Sequence, residues 1–153
     1  MSRAFVKESE DDGAELPERA VSPNRNLVTE AGLAQIGAAI RRLEVALAEA
    51  RAATDKAAIA SLQRDLRYWQ QRRASAELVP QAHGADRVRF GSTVTLALDD
   101  GSERTLKIVG EDEADPAAGT IAYTAPVAVA MIGAETGERV PIGAGGGEIV
   151  GIR

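Results

Sequence analysis

The feature that most constrains this chain is a change of hydrophobic period at Pro80. Before it, Leu33, Ile36, Ile40, Leu43, Leu47 and Ala50 recur at alternating steps of three and four, the seam of an amphipathic helix whose apolar stripe needs a partner helix. A second seam follows at Ile59, Leu62, Leu66, Trp69 and Ala76, with Arg73 as its one polar core position. Thr29 is a candidate N-cap for the first helix, and Thr54 or Asp55 for the second. The spacing therefore predicts an antiparallel helical hairpin over 29–79 that turns near residues 52–56, with arms of about 33–36 Å at 1.5 Å per residue. One long dimerising helix is the alternative.

After Pro80 and the turn-rich "QAHGAD" the period falls to two. "RVRFGSTVTLAL" and "RTLKIVG" read as strands joined by the Asp99-Asp100-Gly101-Ser102 turn. "TIAY" reads as a third strand and "PVAVAMIG" as a short helix with Pro126 in its first turn and Gly133 at its end. "RVPI" and "EIVGI" form a last hairpin. The fold class is α+β, a helical hairpin followed by a small antiparallel sheet carrying one short helix. Residues 1–28 mix charges with Pro17 and Pro23 and lack apolar periodicity, so they read as a flexible charged tail that takes structure only against a partner.

Charge is uneven along the chain. Residues 29–79 carry six acids and eight bases, residues 80–153 eleven acids and six bases, and the net charge is −5. That balance disfavours a protein whose main task is coating duplex nucleic acid. The absence of cysteine excludes disulfides and thiolate chemistry, and one histidine, His83 in a polar linker, supplies neither a classical zinc site nor a Ser-His-Asp triad. No secretory leader or membrane-length apolar run is recognisable, which points to a cytoplasmic protein without membrane contact.

Two segments invite a binding interpretation. Glu111, Asp112, Glu113 and Asp115 could hold a cation, but they lack the ligand spacing of a calcium loop, so a solvated strand-to-strand connection is expected. "GAGGGE" lies between strand signals with no following helix or Lys-Ser/Thr pair, so it reads as a hairpin turn rather than a phosphate cradle. Arg64, Arg67, Arg72 and Arg73 give the second helix a basic side, expected to be solvated. Tyr68 is expected over the junction with the sheet domain.

The stretch "IVGEDEADPAAGTIAYTAPVAVAMIGAETGERV" closely resembles the C-terminal signature of the GreA/GreB transcription elongation (transcript cleavage) factor family. "RYWQQRRASAELV" is similar to the end of that family's coiled coil, and "VTEAGLAQI" to its first helix. The resemblance implies an N-terminal antiparallel coiled coil and, over 80–153, an FKBP-like domain that docks on RNA polymerase at the secondary channel. It implies a docking surface of Asp112, Glu113, Asp115, Thr124, Pro126, Ala128 and Gly133, with Ala125 standing where the family has Ser. It further implies a monomeric factor that is not itself an enzyme, has no cofactor of its own, and meets nucleic acid only through the elongation complex.

The tip departs from the family. Cleavage-stimulating members carry "G-D-x-x-E-N-A-[ED]-Y", whose carboxylates help hold a second Mg²⁺ in the polymerase active site. Here "EARAATDKAAIASL" leaves Asp55 as the only acid between Glu49 and Asp65. The chain thus resembles the shorter-armed Rnk-type relatives at its tip, and weak or absent cleavage is expected. Asp55, with Mg²⁺ shared with polymerase, is the one candidate if cleavage survives. The FKBP-like domain also raises prolyl isomerisation, but Phe90 and Tyr123 are the only aromatics after residue 80.

Overall fold

The computed structural model describes residues 16–81 and 83–153. Strand β1 (Leu27–Val28) leads into helix α1 (Glu30–Ala52), and α2 (Lys56–Ser75) returns to strand β2 (Glu77–Leu78). Thr29 caps α1 by accepting from the Gly32 N–H, and Asp55 caps α2 by accepting from the Ala58 N–H. Thr54 closes the turn between them at φ +55°, the left-handed region that a short connection requires. The chain is therefore a hairpin and not one long helix. Because the two helices bring the chain back to its starting end, β1 and β2 pair in parallel, Leu27 opposite Glu77 and Val28 opposite Leu78.

Two details differ from the expected hairpin. Helix α2 stops at Ser75 rather than running to 79, because residues 77 and 78 are taken up by pairing with β1. The buried arginine is Arg72, while Arg73 is exposed. Three residues after Trp69 stays under the junction; four residues after it has rotated out to solvent. The hairpin core gathers Val28, Ile36 and Ile40 with Leu33, Leu66, Trp69 and Ala76 around them.

The second unit is a five-stranded sheet in the order β5-β4-β3-β7-β6. Its strands are β3 (Thr93–Leu98), β4 (Glu103–Val109), β5 (Thr120–Ala122), β6 (Arg139–Ile142) and β7 (Gly145–Ile152), with helix α3 (Pro126–Met131) between β5 and β6. The predicted first strand begins only at Thr93, since Gly91 at φ +86° turns the chain just before it. β3 alternates as a half-buried strand should, Val94 and Leu96 inward with Thr93 and Thr95 outward. The Asp99–Ser102 turn forms with Gly101 at φ +85°, and the Asp100 carboxylate accepts from the Ser102 N–H. In "GAGGGE" only Gly143 and Ala144 make the turn, and Gly145–Gly147 already pair in β7.

The sheet is antiparallel except at one edge, where β5 pairs with β4 in parallel. Parallel neighbours need a crossover connection. Residues 110–119 supply it, ending in a single 3-10 turn at Pro116–Ala118. The acidic run is thus part of a crossover that passes the base of the hairpin. Core side chains include Val94, Leu96, Leu106, Ile108, Ile149 and, from α3, Ala128 and Met131. This cluster is separate from that of the hairpin. Among the described residues no helix is long and apolar enough to cross a membrane.

Residues 16–28 do not stand apart as the tail reading expected. They lie along α2 and against the sheet domain, ordered by polar contacts that carry no periodic signature in sequence; residues 1–15 of that reading lie outside the described residues.

Candidate functional site

The feature with the densest chemistry is the polar junction where the crossover meets the hairpin. Arg72 is 1% exposed. Its Nε donates to Asp112 Oδ2 at 2.5 Å and a terminal nitrogen donates to Asn26 Oδ1 at 2.7 Å. A buried guanidinium is tolerable only when so paired. Asn26, itself buried, returns a bond from Nδ2 to the Arg72 carbonyl at 2.7 Å. The Tyr68 hydroxyl donates to the other Asp112 oxygen at 2.5 Å. Burial, reinforced by that hydrogen bond and by the Asp112 charge, pushes the Tyr68 phenol up to about 12.

The neighbouring carboxylates are engaged in the same way. Glu113 accepts from the Thr29 hydroxyl at 2.6 Å, while that hydroxyl accepts from the Gly32 N–H at 3.0 Å. One side chain thereby caps α1 and ties it to the crossover, and Glu113 brings negative charge to the positive end of the helix dipole. Glu111 accepts from the Ser22 hydroxyl at 2.9 Å. Asp115 turns back on its own segment, accepting from the Ala117 N–H to start the 3-10 turn. The run is accordingly not a loop in open solvent, and among the described residues no three His, Cys, Asp or Glu side chains gather as a metal site.

Backbone packing at this point explains a glycine. A Cβ on Gly110 would sit 2.4 Å from the Leu27 carbonyl oxygen, so only glycine lets the end of β4 approach β1. Gly32 is similarly placed, with Glu113 Oε2 2.5 Å from where its Cβ would be.

The remaining expected docking residues lie beyond the junction. Thr124 is half-buried, and Pro126 stands exposed at the first turn of α3. Ala128 is fully buried beneath the helix, and Gly133 ends it at φ +89°. Ala125 is the N-cap residue of α3 and makes no side-chain cap bond, the structural consequence of lacking a hydroxyl there. The outer face of α3 presents Val129 at 61% and Ile132 at 42% exposure. Asp112 and Glu113 are thus drawn together at the junction, whereas Pro126 and Gly133 bracket an apolar surface helix. Asp55 is distant from both, exposed at the tip and occupied as the α2 cap. His83 is exposed. Phe90 and Tyr123 stack edge to face at 5.8 Å, and the Tyr123 hydroxyl donates to the Arg25 carbonyl.

Sequence reasoning missed Asn26, Ser22 and Arg72 as junction residues. Only Arg72 left a signal, its place three residues after Trp69 on the buried stripe. The cap assigned to Thr29 was legible; its second bond to Glu113 was not.

Comparison with known proteins bears on the sheet domain first. The family model described as "Transcription elongation factor, GreA/GreB, C-term" matches residues 82–152. The chain is 51% identical over 65 residues to transcription elongation factor GreA of Hyphomonas neptunium, covering 42% of this chain and 41% of that protein. It is 46% identical over 77 residues to GreA of Anaeromyxobacter sp. strain K, covering 49% and 46%. The matched segments thus span about half or less of those relatives. GreA factor homolog 1 (Gfh1) of Thermus thermophilus overlays 85% of this chain and 99% of its own at 15% identity and a TM-score of 0.42. So loose an overlay leaves the fold to rest on this chain's own elements. Residues 82–152 thus match the C-terminal domain of the GreA/GreB transcription elongation factors, and it is through this domain that the chain is similar to that family.

Proposed function

We propose that this protein is a transcription elongation regulator that binds RNA polymerase at its secondary channel without efficiently stimulating transcript cleavage. The observation that carries this reading is the pairing of a Gre-type sheet domain with a hairpin tip whose single carboxylate, Asp55, is already hydrogen-bonded to the backbone of its own helix. A divalent cation favours several oxygen ligands, and one exposed, engaged carboxylate does not fit that requirement.

The docking contact is the outer face of α3, where Pro126, Val129, Ile132 and Gly133 form an apolar surface, with Asp115 and Thr124 nearby in sequence. Asp112 and Glu113 serve it indirectly, by fixing the hairpin to the domain that docks. The protein acts as a monomer in the cytoplasm, is not itself an enzyme, and meets nucleic acid only through the elongation complex.

The test mixes the purified protein with stalled elongation complexes and follows RNA 3′-end shortening and displacement of a cleavage-competent factor in the same samples. Competition without shortening is expected, and Val129→Glu combined with Ile132→Glu abolishes the competition. Shortening would refute the loss of cleavage; absence of competition would refute the docking.

A further inference from the structure

The two hydrophobic cores are separate, so the direction in which the hairpin points is not set by one continuous packed interior. Direct side-chain bonds between hairpin and sheet domain cluster at Asp112 and Glu113. Contacts confined to one short segment leave rotation about that segment lightly restrained. We infer that residues 16–26 act as an interdomain clamp, a strap bonded to both units that holds the hairpin at one angle to the sheet domain.

The strap follows α2 on one side. Glu18 accepts from Arg67 Nε at 3.0 and 3.1 Å through its two oxygens, and the Arg19 guanidinium lies 3.9 Å from the centre of the Tyr68 ring and 3.6 Å from Asp65. Arg25 pairs with Glu77 at 2.5 Å, and Asn26 brackets Arg72. On its other side the strap meets the crossover again and one further segment of the sheet domain. Ser22 donates to Glu111, and the Arg25 carbonyl accepts from Tyr123 at 2.6 Å, just beyond β5. The Leu27 carbonyl then lies against Gly110. The Tyr123 bond lies on a different segment from Glu111 and Asp112, so the two anchor points together oppose rotation as one segment cannot. Each charged pair is exposed and individually weak; the restraint comes from their being strung on one short peptide.

The chain contains no cysteine, so labels can be placed without background. Val45 on α1 and Val150 on β7 are exposed, at 60% and 42%, and Val45→Cys with Val150→Cys gives a spin-label pair across the junction. The full chain is expected to give one narrow distance distribution by double electron–electron resonance. Deletion of residues 1–15 leaves it unchanged, and deletion of 1–25 widens it about twofold or more while circular dichroism retains the helix signal. An unchanged distribution in the folded 1–25 deletion would overturn the proposal, as would widening on deletion of 1–15 alone. If the longer deletion does not fold, the full-length Glu18→Ala, Arg19→Ala, Ser22→Ala, Tyr123→Phe variant, which also removes the bond to the Arg25 carbonyl, decides: widening supports the clamp and an unchanged width overturns it.

Discussion

Replacing Asp112 by alanine tests whether the junction is held as described. Arg72 would keep its bond to Asn26 but lose its carboxylate partner, and the Tyr68 hydroxyl would lose its acceptor. Breaking a buried ion pair by removing one partner costs about 3–5 kcal/mol because an uncompensated charge stays inside. The Asp112 side chain is 13% exposed and Arg72 retains a neutral acceptor, so the lower end, about 3 kcal/mol, applies here. For a chain of this size that corresponds to a fall in Tm of about 6–12 °C. Trp69 is the only tryptophan and packs in the hairpin core beside Tyr68, so its fluorescence in a urea titration reports the loss directly. Replacing both partners, Asp112→Leu with Arg72→Met, removes the stranded charge and should cost less than the two single changes together. A loss below about 1 kcal/mol for Asp112→Ala, or strict additivity in the double variant, would refute the reasoning.

Gly110→Ala drives a methyl group onto the Leu27 carbonyl, where neither backbone can move freely, and should cost about 2–3 kcal/mol in the same titration. The Tyr68 phenol holds its proton more tightly in the folded state than in the unfolded one, so its contribution is complete below about pH 10 and is lost as pH rises towards about 12. The urea midpoint should therefore fall across that window, and the fall should be shallower in Tyr68→Phe; Tyr123, also raised by burial and by Glu111, accounts for part of the remaining slope.

The hairpin was legible because its causes are local. Seams at three-four spacing and side-chain caps at Thr29 and Asp55 act within a few residues, and the structure retains them. The strands, the Asp99–Ser102 turn and α3 with Pro126 at its start were legible for the same reason. The family signature in 108–140 marked the sheet domain as Gre-type, which the match over 82–152 bears out.

What the tertiary structure decided is which polar groups meet. Asp112 and Tyr68 are 44 positions apart, Thr29 and Glu113 84, and Ser22 and Glu111 89. A carboxylate in a run of carboxylates reads as solvated until a buried guanidinium or a helix cap is brought against it. Arg72 and Arg73 differ by one residue in sequence and by about 100° around the helix, and that rotation alone sends one to the junction and the other to water. Periodicity determines that a stripe is buried; the opposing surface determines which polar neighbour joins it, because hydrogen bonds and ion pairs depend on distances of a few ångströms that a linear pattern does not encode.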